Sequence, residues 1–335
     1  SKLMKSIKNI EEFVNYQNKQ KQLLTPGPAS LLAENLISIQ PCFGRGDKEY
    51  EKLELNVLNR LKKLSGHSNI VRMQGSASLA LEILAMNFLY GKILVIRTGV
   101  YSDRVYNMSK YNKKIFKYVK KVKYVDWKKI DEFSEKFDWI FACPTETSVG
   151  LKIPIIELSK LKKRCKSKLA LDATASIGLE KNHDLADVIA YSSCKGLFGL
   201  TGASFIAFNQ RPKNEINSFY LNIYNHINKK MTGPYHTIAS LFNVLPKYND
   251  FKYSVEQNKS RILKMMPELT IYPKENQPLL CTYLKKKLFS KNKKLIFYKT
   301  RSKLKGSVVC HLGEVHLKKK AKGDILKSLE YEISK

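Results

Sequence analysis

Between about residues 50 and 210 the chain alternates short apolar runs with amphipathic or helix-prone stretches. The apolar runs cover residues 69–73, 92–97, 115–119, 138–143, 167–172, 187–191 and 203–208. Near-continuous apolarity of this length predicts strands buried on both faces of a sheet. The stretches 76–90, 101–111, 127–136 and 155–165 are predicted helices between them. Such alternation predicts an α/β fold with a mostly parallel, seven-stranded sheet. A Gly-rich loop without a helix joins the last two runs, which predicts one antiparallel excursion. After residue 245 Lys-rich segments hold short predicted strands at 269–272, 279–284, 294–298 and 307–312, then a helix at 322–333. This change of pattern predicts a small α+β domain. The expected division is an N-terminal segment at 1–30, a large α/β domain at 31–245 and the small domain at 246–335.

A chain of 335 residues, 43% hydrophobic, can bury a substantial core. It holds no apolar run of about eighteen residues, so no membrane partner is expected. Residues Ser1 to Lys8 lack a signal peptide's apolar stretch. Six scattered cysteines without a CxxC pair fit reduced thiols in a cytoplasmic protein. The six histidines show no HExxH spacing, and Walker and GxGxxG loops are absent; no metal is expected. The formal charge of +31 suggests nucleic acid at first. However, 51 of the 60 basic residues are Lys and nine are Arg. Nucleic-acid readers favour the bidentate Arg fork, so dispersed lysines predict a solvated basic surface and no specific nucleic-acid partner.

The strongest chemical signal is an isolated charge. Residues Val188 to Asn209 contain one charged side chain, Lys195, where a chain that is 27% charged would place about six. Lys195 lies in Ser192-Ser193-Cys194-Lys195-Gly196, between two apolar strands, with further glycines at 199 and 202. Glycines let backbone approach a ligand closely, and an amine among apolar strands suits Schiff-base chemistry with pyridoxal 5′-phosphate (PLP). A PLP site also needs a carboxylate facing the ring nitrogen. Asp172 ends an apolar strand, where open α/β sheets bind ligands; such an Asp alone is more often an Asx-turn or a helix cap. Gly75-Ser76-Ala77-Ser78 opens a predicted helix and offers an anion site for the phosphate, or a plain Ser cap. Tyr101 follows a strand and could cover the ring, although any single Tyr among eighteen is more often core or surface.

Taken in order, these segments resemble the class V aminotransferases of PLP fold type I. They are closest to the branch of 2-aminoethylphosphonate:pyruvate transaminase and the alanine/serine:glyoxylate aminotransferases. The matching segments are LLTPGP at 23–28, QGSAS at 74–78, TGVYSDR at 98–104, TETSVG at 145–150, LDATASIG at 171–178, SSCKG at 192–196 and PYHTI at 234–238. The likeness runs to about residue 245, with a weaker tail to about 316. It implies a PLP-dependent transaminase with Lys195 as the catalytic lysine. Ser76, Ala77, Ser78, Tyr101, Thr147, Asp172, Ser192 and Thr237 would bind the cofactor. Thr25 and Gly27 would line the substrate side, and Thr237 would act across a homodimer. The partners implied are a small amine donor and a keto-acid acceptor such as pyruvate, in a ping-pong cycle.

The departures concern the substrate. Cys194 stands where the family usually has Gln or Asn, and Thr145 where it often has His. The family's substrate-clamping Arg lies in a strand that here reads SVVCHLGEV at 307–315. Val308 or His311 falls at its position, and neither is a bidentate fork. Arg45, in a Gly-flanked loop, is the candidate replacement, with an ordinary surface role as the alternative. A lyase or desulfurase on the same fold, and a degenerate binding protein, are the other readings.

Overall fold

In the computed structural model, which describes residues 9–40, 43–312 and 319–332, the apolar runs assemble into one seven-stranded sheet. The chain enters through α1 (Ile10–Asn18), β1 (Gln22–Leu24), α2 (Glu34–Ile37) and α3 (Lys48–Ser65). Asp47 caps α3 by accepting from the amides of Glu49 and Tyr50, and Gly66 ends it at φ 75°. Next come β2 (Asn69–Gln74), α4 (Ala77–Phe88), β3 (Gly91–Arg97), α5 (Val100–Ile115), β4 (Val119–Asp126) and β5 (Trp139–Ala142). A short hairpin, β6 (Thr145–Glu146) and β7 (Leu151–Lys152), precedes α6 (Ile155–Arg164), β8 (Lys168–Asp172), β9 (Val188–Ser192) and β10 (Ala203–Phe208).

The sheet order is β2-β10-β9-β8-β5-β3-β4. Neighbours from β9 to β4 pair in parallel, whereas β10 is antiparallel to both β2 and β9. The seven strands and the excursion match expectation. Successive side chains point to opposite faces, and the strands build two cores accordingly. Leu94, Ile140, Leu169, Ile189 and Phe205 join Val57, Leu158 and Ile238 on one face. Val95, Phe141, Ala170, Ala190 and Ile206 join Ala80, Leu84 and Val105 on the other.

One predicted strand is displaced. Residue 115 ends helix α5, and the strand occupies Val119–Asp126 instead. Its Lys-rich alternation is that of a half-solvated edge strand. Lys121 and Lys123, with Lys92 of β3, converge on Glu135 at 2.9–3.3 Å. The predicted helix at 127–136 is a 3-10 segment, Trp127–Glu132.

Beyond β10 the chain forms α7 (Ile223–Ile227), α8 (Tyr235–Phe242), the 18-residue α9 (Tyr248–Met265), β11 (Cys281–Leu284), β12 (Leu288–Ser290), β13 (Leu295–Phe297), β14 (Ser307–Cys310), α10 (Lys319–Ser328) and β15 (Leu329–Tyr331). β11 pairs with β14 and β12 with β15, all antiparallel. Helix α9 is absent from the sequence pattern, and residues 269–272 form no strand beyond a single bridge, Thr270 to Leu284. The C-terminal helix ends at Ser328, where β15 begins. In the N-terminal segment, β1 pairs in parallel with β13. Among the described residues no helix is long and apolar enough to cross a membrane.

A buried charge cluster pins α3 to the edge strand β2. Arg72 Nε donates to Glu54 Oε1 at 3.3 Å, and Lys229 Nζ approaches the same oxygen at 2.9 Å. Burial alone would push the Glu54 carboxyl up, but Arg72, Lys229 and Tyr50 outweigh it and hold the group below its ordinary range. Removing one partner of such a pair leaves a buried charge uncompensated. Arg72→Ala is therefore expected to destabilise the fold by about 3 kcal/mol at neutral pH, read from urea unfolding. Because the folded carboxyl is depressed, its contribution is lost as pH falls through the folded value. The gap between wild type and variant should narrow in acid; a gap that widens would contradict this account.

Candidate active site

The parallel strands deliver their C-terminal ends to one edge of the sheet, where open α/β folds bind ligands. Gly75 follows β2, Thr98 follows β3, Cys143 follows β5, Asp172 ends β8 and Lys195 lies three residues beyond β9. The antiparallel β10 begins at this same edge, bringing Thr201, Gly202 and Ala203 alongside. Together these ends enclose a cavity of about 520 Å³. Ser76, Ala77, Ser78, Tyr101, Thr147, Asp172, Ser192 and Lys195 all line it.

Asp172 and Lys195 define its chemistry. The Asp172 side chain is buried, and Oδ1 accepts from the Thr174 amide at 3.1 Å and the Thr174 hydroxyl at 2.5 Å. Burial pushes its carboxyl up, against the pull of Thr174 and of the Lys195 charge. Lys195 is half-buried, and its aliphatic stem runs against Gly27. A Cβ at Gly27 would sit 2.7 Å from Lys195 Cγ, and its φ of 144° disfavours other residues. Gly27 therefore leaves the room that the lysine stem occupies, which brings the N-terminal segment against Lys195.

The first amides of α4, at Ala77 and Ser78, have no intrahelical acceptor and face the cavity wall, a ready anion cradle. Gly75 donates its amide to Gly202 O at 3.0 Å, which joins this turn to the start of β10. Thr237 lies just behind that wall, donating from Oγ1 to Thr201 O at 2.8 Å.

Tyr101 sits in the first turn of α5, and a buried carboxylate holds that turn. Glu146 accepts from the amides of Tyr101 and Ser102, from Thr98 Oγ1 and from Ser148 Oγ, at 2.6–3.3 Å. Burial pushes the Glu146 carboxyl up in spite of these donors.

The substrate-side expectations fare unevenly. Thr25 and Gly27 lie on the segment after β1, and of these Gly27 touches Lys195. His311 does not belong to the site. It is fully buried, its Nε2 is 2.9 Å from Thr282 Oγ1, and burial with the nearby Lys259 charge pushes its imidazole down to about 3. A neutral, enclosed ring cannot clamp an anion. Val308 is likewise buried, and residues 313–315 of that stretch lie outside the described residues. Arg45 is exposed, donates to Lys230 O at 3.3 Å and does not line the cavity.

No family model matches the chain. It is 25% identical over 319 residues to the bifunctional phosphonoacetaldehyde hydrolase/aminoethylphosphonate transaminase of Clostridioides difficile, covering 84% of this chain and 50% of that one. The chain thus spans about half the length of that relative. It is 24% identical over 252 residues to the 2-aminoethylphosphonate–pyruvate transaminase of Pseudomonas aeruginosa, covering 68% of each. Its structure superposes on a subgroup IV aspartate aminotransferase from Thermus thermophilus with a TM-score of 0.77 and 17% identity, over 92% of this chain and 97% of that one. The chain has the aminotransferase fold of PLP fold type I.

The residues of this aminotransferase fold suit PLP. A buried carboxylate without a buried cation at hydrogen-bonding distance calls for a protonated nitrogen, and the pyridine nitrogen would supply one. The α4 amides and Ser76 would hold the phosphate, Lys195 would carry the aldehyde carbon, and Tyr101 and Thr147 would line the ring.

Two residues of the site, Glu146 and Arg104, gave no signal of their own in the sequence. Glu146 lies within TETSVG, but its partners at 98–102 are distant along the chain. Stripping the carboxylate leaves four donors without an acceptor, two of them amides of the Tyr101 turn. Glu146→Ala is expected to cost about 3 kcal/mol of stability, with Glu146→Gln losing less because one oxygen remains. Equal unfolding midpoints for wild type and the Ala variant would refute this role.

Proposed function

We propose that the protein is a PLP-dependent aminotransferase that takes the amino group of a small amine bearing an oxyanion and passes it to a keto acid such as pyruvate. The observation that carries this reading is the pairing, in one cavity, of the Lys195 amine with the buried Asp172 carboxylate at the ends of adjacent strands. The relatives named for aminoethylphosphonate transamination support the substrate class.

When bound, PLP supplies an electron sink that acidifies the substrate Cα–H bond. The chain's own residues do the rest. Asp172 would hold the ring nitrogen protonated, because a carboxylate beside the nitrogen favours its charged form. Lys195 Nζ is the group that would take the proton from the substrate Cα and return it, its stem lying in the room that Gly27 leaves. The Glu146-anchored turn holds Tyr101 in the cavity wall, where it would cover the ring, and the apolar walls from Leu81, Met108 and Ala203 would limit water. Departure of a carbonyl product and entry of the keto acid complete a ping-pong cycle. A homodimer belongs to this reading, with Thr237 serving the neighbouring protomer's phosphate. The Cys310 thiol, fully buried in β14, lacks the exposure that a desulfurase nucleophile needs.

Protein loaded with PLP is expected to absorb in the visible, and borohydride should fix the cofactor on the peptide containing Lys195. Lys195→Ala should lower turnover by about 10⁴-fold, and Asp172→Asn by about 100-fold with the cofactor retained. A colourless protein, or label recovered on another lysine, would contradict the assignment.

A further inference from the structure

The cavity contains two cationic side chains, Lys195 and Arg104. Lys195 is committed to the cofactor if the protein is a PLP-dependent aminotransferase, and the role of Arg104 rests on that reading. Arg104 stands one turn beyond Tyr101 on α5, and with Met108 and Leu81 it forms the wall between α5 and α4. Its guanidinium carbon lies 5.0 Å from the Tyr101 ring centroid. Among the described residues no carboxylate or carbonyl pairs with it. Asp103, its neighbour in sequence, is engaged by the Tyr124 hydroxyl at 2.5 Å. An Arg held by ring contact keeps its N–H fork available, because that attraction uses the face of the guanidinium and not its donors.

We propose that Arg104 is the specificity-determining residue of this site, a clamp for the phosphonate or carboxylate of the amine substrate. Three observations converge on it. The small domain offers no alternative at the expected strand, where Val308 and the neutral His311 are buried away from the cavity. Arg45 is exposed and occupied by Lys230 O. The support beneath Arg104 is rigid, since Glu146 fixes the first turn of α5 through the amides of Tyr101 and Ser102. With Lys195 committed to the cofactor, Arg104 is the cationic side chain of the lining left to meet an anionic amine. A planar fork matches an oxyanion with two parallel hydrogen bonds, a geometry that an ammonium does not reproduce.

The cofactor phosphate is a second oxyanion that Arg104 could hold, and the experiment separates the two. Wild type, Arg104→Gln and Arg104→Lys are loaded with PLP, and the dissociation constant of PLP is read from the visible band. Each is then titrated with 2-aminoethylphosphonate and with propylamine, without acceptor, following the same band. The expected result is unchanged PLP affinity, a roughly 30-fold weaker response to 2-aminoethylphosphonate in Arg104→Gln, an intermediate loss in Arg104→Lys, and propylamine altered less than about threefold. Equal weakening toward both amines, or no weakening, overturns the clamp. Weaker PLP binding with unchanged discrimination assigns Arg104 to the cofactor and also overturns it. Calorimetric titration of methylphosphonate into the proteins without PLP keeps the test independent of the functional reading. There, tighter binding by wild type supports the clamp even where loading with PLP fails, and equal binding overturns it.

Discussion

The site is organised around the burial of one carboxylate. Asp172 ends a strand flanked by strands on both sides, where its burial makes an isolated negative charge unfavourable. Thr174 supplies two hydrogen bonds and Lys195 supplies a charge across the cavity, yet the carboxyl remains pushed up. The arrangement becomes favourable once a protonated nitrogen meets it.

Holding the other groups around that carboxylate requires contacts between distant parts of the chain. Glu146 ties the β6 strand to the Tyr101 turn, and Thr300 Oγ1 donates to Ser148 O at 2.5 Å, bringing in the segment after β13. β1 pairs with β13 and leads directly to Gly27 beneath Lys195. The N-terminal segment and the small domain are therefore coupled to the lysine through one short parallel pairing. These links explain why the site is built on strand ends and helix starts, which hold side chains more closely than free loops do.

Much of this was legible in the sequence because the central strands are buried on both faces and read as continuous apolar runs. The lone charge at Lys195 and the strand-ending Asp172 stood out for the same reason: desolvated surroundings leave few polar residues to confuse the pattern. Legibility failed where the environment was mixed. The edge strand β4 carries Lys120, Lys121 and Lys123, so it lacks the continuous apolar run that marked the central strands. The 18-residue α9 was hidden by its many polar positions. His311 looked like a candidate ligand by its place in a motif, whereas its burial beside Thr282 depends on the pairing of β11 with β14. Arg104 closes the TGVYSDR motif, but its place in the cavity wall becomes visible only when α4 and α5 are packed together.

The central claim, that Lys195 and Asp172 operate one transamination site, is tested most directly by half-reactions in the absence of turnover. PLP-loaded protein mixed with excess 2-aminoethylphosphonate and no keto acid should lose its visible band in a single first-order phase. Pyruvate added after removal of the amine should restore the band, with one equivalent of alanine formed per site. A visible band that never responds to any anionic amine, or one that bleaches without recovery on adding a keto acid, would contradict the account.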